Sequence, residues 1–188
     1  MPMQWTTANP RTGPLPNRNS AMNVVEIAAN FNHTCARRQS GEVLCWGSND
    51  QRQLGSSMRS AIVVVTGLPP MPTPMPAIAV VEITAGVQHT CARLQNGAVY
   101  CWGANDYGEL GDGTTTQSTT PVQAGTLSGV TAIATGYMHT CALTGGDVYC
   151  WGDDSRGQIG DGVTTTTPRT SPVHVQGVLA GKTVTAIA

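Results

Sequence analysis

Three histidines stand two residues ahead of a cysteine, as His33 and Cys35, His89 and Cys91, and His139 and Cys141. A second cysteine follows each pair, at Cys45, Cys101 and Cys150. Residues two apart on a strand share a face, so each set could bring one imidazole and two sulfurs to a point. Three chemistries fit those groups. The thiols and the histidine could ligate a metal, although a closed structural zinc site needs four ligands and no fourth recurs. The thiols could stay reduced as small buried hydrophobes. Or they could join as disulfides, which form in oxidising compartments. The elements that carry the cysteines decide between these.

Other candidates are sparse. Asp112 and Asp161 sit in Gly-Asp-Gly turns, where a lone carboxylate suits loop chemistry better than a calcium site. No nucleophile triad, phosphate-binding loop or paired-carboxylate arrangement occurs, so the sequence points to no catalytic residue, no cofactor and no bound metal.

The cysteines belong to an internal repeat. The run Val25 to Ala36, ending His33-Thr34-Cys35-Ala36, recurs as Val81 to Ala92 and as Thr131 to Ala142. Each copy is followed by a second block, Val43-Leu44-Cys45-Trp46-Gly47, Val99-Tyr100-Cys101-Trp102-Gly103 or Val148-Tyr149-Cys150-Trp151-Gly152. A turn-rich stretch then ends in Leu54-Gly55, Leu110-Gly111 or Ile159-Gly160. The spacing from His33 to His89 is 56 residues and from His89 to His139 is 50, the difference lying in a Pro/Met-rich insert from Gly67 to Pro76.

Each unit reads as four short strands. In the second they are Val81 to Ala85 with Val81 and Ile83 on one face, His89 to Leu94, Ala98 to Trp102, and a strand near Pro121-Val122-Gln123. Gln95-Asn96-Gly97 is a hairpin loop that sets Leu94 against Ala98 and therefore Cys91 opposite Cys101. Gln39-Ser40-Gly41 does the same for Cys35 and Cys45. In the third unit the cysteines are one residue closer and the loop shortens to Gly145-Gly146, so Cys141 again faces Cys150. Facing strand residues lie within disulfide reach. The register favours disulfides, with buried thiols and a metal set as the alternatives.

The second unit runs Gly86-x-x-His89-Thr90-x-Ala92, then Gly97-x-Val99-x-x-Trp102-Gly103-x-Asn105-x-x-Gly108-x-Leu110-Gly111. This pattern resembles the repeat of the regulator of chromosome condensation family. The first unit departs from it at Asn30 and Arg52, each in place of Gly; the third has Asp153 for Asn and Ile159 for Leu. The resemblance implies an all-β fold, a partial β-propeller of about three four-stranded blades from a longer, usually seven-bladed array. It also implies a non-catalytic binding platform. Known activities in the family include nucleotide exchange on a small GTPase with chromatin binding, and inhibition of an enzyme through loops on one propeller face. A structural spacer or adhesin repeat in a large surface protein is the alternative.

On that fold His33, His89 and His139 repeat too regularly to be a catalytic set and read as structural hydrogen-bonders, with Trp46, Trp102 and Trp151 as blade-packing residues. Positions that vary between copies are the candidates for contact with a protein partner. These are Phe31-Asn32, Val87-Gln88 and Tyr137-Met138 before each histidine, and Asp106, Tyr107 and Arg156 in a second set spanning Asp50-Gln51-Arg52, Asp106-Tyr107 and Asp154-Ser155-Arg156. Phe, Tyr and Met are types that interfaces favour, although the same positions also suit ordinary solvated loops.

Composition sets the outer bounds. Of 188 residues 11% are charged, the net charge is −1, and no basic cluster or membrane-length apolar run occurs, which argues against nucleic acid and a membrane span. The N-terminus lacks the features of a signal peptide, so an exported, bacterial-surface setting is expected from the paired cysteines alone. Boundaries fall at 1–20 (tail of a preceding repeat, where Pro10 to Leu15 matches Pro168 to Val173), 21–76, 77–126, 127–180, and 181–188, which restarts the repeat. The expectation is a piece of a longer array, or one completed by other chains, self-associating through open strand edges.

Overall fold

A computed structural model describes residues 23–57, 63–65, 79–176, 179 and 181–188. The matched tail at Pro10 to Leu15 and the insert from Gly67 to Pro76 lie outside the described residues. Twelve strands follow in order: β1 (Val24–Asn30), β2 (His33–Arg38), β3 (Val43–Gly47), β4 (Val63–Val64), β5 (Val80–Ala85), β6 (His89–Leu94), β7 (Val99–Gly103), β8 (Ser118–Gln123), β9 (Val130–Thr135), β10 (His139–Thr144), β11 (Asp147–Gly152) and β12 (Arg169–His174). They form three antiparallel four-stranded sheets, β1–β4, β5–β8 and β9–β12, each in chain order. These are blades of a β-propeller.

The hairpin loops set the register. Leu94 donates its N–H to Ala98 O at 2.9 Å, and Thr144 pairs with Asp147 around Gly145-Gly146. Cys35 therefore faces Cys45, Cys91 faces Cys101, and Cys141 faces Cys150. Each pair forms a disulfide with its Cα atoms 4.1 Å apart.

The first strand of each unit departs from simple alternation. Val80 pairs with Leu94 and Glu82 with Arg93, so Val81 is an extra residue in a bulge. Val80 and Ile83 are the buried pair, while Val81 is only half-buried. A bulge inserts one residue and shifts the face, so the expected Val81–Ile83 face becomes Val80–Ile83.

The core lies between blades. Cys35, Val43, Cys45, Leu54 and Val65 of the first blade pack on Val80, Ile83, Leu94 and Trp102 of the second. Cys91, Val99, Cys101 and Leu110 pack likewise on Val130, Ile133, Ala142 and Trp151. Fully burying an Ile or Val stabilises by about 1.5–3 kcal/mol, so a single seam gathers a substantial share of the fold's driving force. Beyond the third blade, Val184 and Ile187 pack on Val148, Cys150 and Ile159, and Val184 N–H bonds Gly146 O at 2.9 Å, as Val130 N–H bonds Gly97 O at 3.3 Å.

The first blade shows what a seam covers. Trp102 and Trp151 are 0% exposed, but Trp46 is 38% exposed. Val24 and Ile27 are exposed as well, where Val80, Ile83, Val130 and Ile133 are buried. The expectation that Trp46 is a packing residue is corrected: packing needs a preceding blade, and no described element covers its indole.

Candidate functional site

The turns joining β1 to β2, β5 to β6 and β9 to β10 open at one end of the sheets, and the hairpin loops at Ser40, Asn96 and Gly145 open at the other, because neighbouring strands are antiparallel. The chains leaving β3, β7 and β11 emerge at the first end. That end carries the variable residues.

Two jobs are divided within each turn. The second residue clasps the neighbouring chain: Asn32 O accepts Ser48 N–H at 2.7 Å, Gln88 O accepts Ala104 N–H at 2.9 Å, and Met138 O accepts Asp153 N–H at 2.9 Å. A Cβ at Gly47, Gly103 or Gly152 would come within 2.4–2.5 Å of these carbonyls, which is why Gly follows each Trp. The first residue points outward in two of the three turns. Phe31 is 75% exposed and Tyr137 is 62% exposed. Val87 is 5% exposed, so the expectation that it lies on an accessible loop is corrected; its N–H bonds Tyr137 O at 3.4 Å across the seam. Phe31 also holds φ at 41°, a left-handed backbone that a bulky residue rarely adopts.

The second variable set forms tight loops built on one side chain. Asn49 and Asn105 use Oδ1 to accept Leu54 N–H and Leu110 N–H, each at 2.9 Å, while Nδ2 donates to loop carbonyls such as Ser56 O and Thr114 O. In the third blade Asp154 holds this place, accepting Ile159 N–H at 3.3 Å. The residue standing for Asn is therefore Asp154, and Asp153 is the counterpart of Ser48 and Ala104. Asp154 thus leaves the variable set. A carboxylate cannot donate as an amide does; here it meets Arg169 as an ion pair at 3.6 Å, without a hydrogen bond, while Arg169 binds Asp161 at 2.5 Å. Asp112 is likewise internally committed, to Thr114 N–H at 2.9 Å and the Thr114 hydroxyl at 2.8 Å. Among the described residues no three His, Cys, Asp or Glu side chains converge as a metal site.

These loops bring Tyr107 of the second blade beside Tyr137, Met138, Asp153, Ser155 and Arg156 of the third, around an open cleft of about 570 Å³. Asp106 and Tyr107 are exposed at its rim. Asp153 accepts from Ser155 N–H at 3.0 Å, from the Ser155 hydroxyl at 3.0 Å and from Gln158 Nε2 at 2.6 Å. Burial pushes its pKa up, but the bonds from Ser155 and Gln158 and the charge of Arg156 together outweigh that and hold it below the usual carboxylate range. A hollow of about 620 Å³ at the other end, lined by residues such as Leu127, Thr144, Tyr149 and Pro172, has no charged group in its wall.

His33 and His89 lie in the seams, while His139 stands half-buried in the wall of the cleft. His33 Nε2 is 2.8 Å from Thr90 Oγ1, and the Thr90 hydroxyl donates to Gln53 O at 2.9 Å. The carbonyl of Gln53 also accepts Trp102 Nε1–H at 3.0 Å; Glu109 O does the same for Thr140 and Trp151, at 3.0 and 2.8 Å. Burial lowers all three histidines, His33 to about 4 and His89 to about 3. One His-Thr pair and one Trp thus converge on a single carbonyl per seam.

The model of the regulator of chromosome condensation (RCC1) repeat matches residues 40–93, 96–143 and 145–188, and a second RCC1 repeat model matches 24–53, 80–109 and 130–158. The chain belongs to the RCC1 repeat family. Among curated relatives it is 35% identical over 125 residues to the human E3 ubiquitin-protein ligase HERC2, covering 65% of this chain and 2% of that one. It is 34% identical over 123 residues to the ultraviolet-B receptor UVR8 of Arabidopsis thaliana, covering 64% and 27%. The chain therefore spans only a small part of these RCC1 relatives. Solved RCC1-type folds superpose well: human WBSCR16 with TM-score 0.76 at 23% identity, covering 96% of this chain and 50% of that one, and Prp20p of Saccharomyces cerevisiae with 0.71 at 21%, covering 83% and 39%. Among the described residues no helix is long and apolar enough to cross a membrane.

Proposed function

We propose that this chain is a non-catalytic, protein-binding section of an RCC1-type propeller, and that its partner docks on the face carrying Phe31, Tyr107 and Tyr137. The observation that carries the reading is that Tyr107 and Tyr137 stand exposed around one cleft, with Phe31 exposed at the same end of the sheets. Tyr and Arg around a cleft are types that dominate binding energy at interfaces, and Met is enriched there. Prp20p has been described with its binding to Gsp1p and histones, which fits a propeller used as a platform.

The test is a photo-crosslinking amino acid placed at 107 or 137, compared with one at 96 on the opposite end. The expected result is a specific crosslinked protein from the first two positions and none from the third. Tyr107→Ala with Tyr137→Ala should then weaken binding of that purified partner at least about tenfold, as removal of two hot-spot residues does. Equal crosslinking from both ends, or unchanged affinity, overturns the reading.

The same proposal places the protein in an oxidising, extracytoplasmic compartment, because three facing cysteine pairs persist only where thiols are not kept reduced. Thiol titration of the unreduced, denatured protein should find no free thiols. Six free thiols would remove the export part and leave the fold.

A further inference from the structure

Position 109 differs in chemistry from its counterparts in the other blades. Gln53 and Gln158 each turn the side-chain oxygen onto the backbone N–H two residues earlier, that of Gln51 at 2.9 Å and that of Arg156 at 2.8 Å. Glu109 makes the same bond with a carboxyl group, accepting Tyr107 N–H at 2.8 Å. Its side chain is buried, with 3% exposure. Its backbone carbonyl is the acceptor that joins Thr140 and Trp151 to the second blade. One residue therefore holds both the loop of Tyr107 and the seam behind the cleft.

The surroundings are unfavourable to a charge there. Asp106 from the same loop and Asp153 from the third blade both act on Glu109, and both are acidic. His89 and His139, on the strands that meet at this seam, are held neutral by burial. The cations are committed elsewhere: Arg93 to Glu82, Arg169 to Asp154 and Asp161, and Arg156 beside Asp153. The backbone N–H groups of Glu109 and Tyr107 favour the ionised carboxylate but do not replace all the water it loses on burial, and like charges nearby add to the cost.

We propose that Glu109 is a proton-controlled latch on the Tyr107 loop: the uncharged carboxyl sits dry behind the loop and against the seam, and its ionisation draws water into that place and so loosens both. Burial, reinforced by Asp106 and Asp153, pushes this carboxyl up to about 7, against an ordinary value of 4.5. The latch thus changes state near neutral pH. The consequence for a partner, weaker docking on the alkaline side, rests on the cleft being the binding site; the latch itself does not.

The experiment needs no partner. Backbone amide and indole NMR of the full chain is followed from pH 5 to pH 8.5, with Glu109→Gln as the comparison. That variant should fold, because Gln occupies the same place in the other two blades. The expected result is that the Tyr107 amide and the Trp151 indole N–H titrate together with a midpoint near 7 in the wild type, and that the titration is lost in Glu109→Gln. The amides of Gln51 and Arg156 should stay flat near pH 7 in both proteins. A Tyr107 amide that does not move, or one that titrates equally in Glu109→Gln, overturns the proposal. Failure of the crosslinking test alone would remove the docking consequence and leave the latch standing.

Discussion

His89 Nε2 lies 2.9 Å from the Thr140 hydroxyl, across the seam between the second and third blades. The Thr140 proton is already given to Glu109 O at 3.0 Å, so the histidine must donate. The neutral imidazole therefore carries its proton on Nε2. A Cβ at Gly86 would come within 2.5 Å of Nδ1, so a glycine three residues upstream leaves room for the ring. The ring is buried and uncharged, and it holds two blades together through one hydroxyl.

That arrangement predicts acid sensitivity. Burial lowers His33 to about 4 and His89 to about 3, from 6.5. Below pH 6.5 the unfolded chain takes up protons that the folded one refuses, so stability is complete above 6.5 and falls as pH drops towards 4. At pH 5 the loss is about 2 kcal/mol for each histidine. Glu109 works the other way, since its raised value makes stability fall as pH rises from 4.5 to 7. Denaturant titrations should therefore show the wild type losing about 1–2 kcal/mol between pH 7.5 and 5, because one carboxyl offsets only part of two histidines, and Glu109→Gln losing about 4 kcal/mol over the same range. A flat profile in the variant would mean that the histidines are not held neutral.

The seam also fixes Gly111. Its φ is +71°, and a Cβ there would stand 2.7 Å from Trp151 Nε1. An added methyl group must displace the indole that donates to Glu109 O, and the left-handed backbone adds about 1–2 kcal/mol. Gly111→Ala should lower stability by about 3 kcal/mol or more, from backbone strain and overpacking together. Thermal unfolding and near-ultraviolet circular dichroism of the tryptophans would show it. A loss below about 1 kcal/mol would place the indole elsewhere.

Much of this was legible beforehand, for physical reasons that differ by element. The cysteine register followed from hairpin arithmetic, because a two-residue side-chain period ties loop length to facing partners. The blades followed from repetition. The bulge at Val81 was hidden, since Val80, Val81 and Ile83 are all β-formers and the pattern does not say which residue is extra. Val87 was misplaced because a turn residue of one blade can be covered by the next, which no single unit reveals. The exchange of Asn for Asp154 became clear only with Arg169 beside it, 15 residues away along the chain and adjacent in the sheet. The Tyr107–Tyr137 cleft joins two blades, so its residues were named in sequence but their meeting was not.

Arg52 offers a stabilising change. It stands where Gly108 and Gly157 stand in the other blades and keeps their left-handed backbone, with φ of 63° against 80° and 74°. The side chain is exposed, so removing it loses little packing. Strain relief of about 1–2 kcal/mol exceeds the extra entropy that glycine loses on folding, about 0.5–1 kcal/mol. Arg52→Gly should therefore raise stability by about 1 kcal/mol, read as a higher denaturation midpoint with unchanged slope. A lower midpoint would show that the guanidinium holds a contact worth more than the strain.

The outer face of the first blade predicts association. Ile27 is 66% exposed where Ile83 and Ile133 are 5%, and Trp46 lies open on the same blade with Val24. In the other blades these positions are covered by a neighbouring sheet, whereas among the described residues nothing covers them here. Exposed apolar patches of this kind drive self-association or partner capture. Sedimentation of the purified chain should show a mass that rises with concentration, and Ile27→Lys should restore the monomer without changing the thermal midpoint, because that side chain contributes little burial in the monomer. A wild type that stays monomeric at high concentration would mean that this face is already covered within the chain.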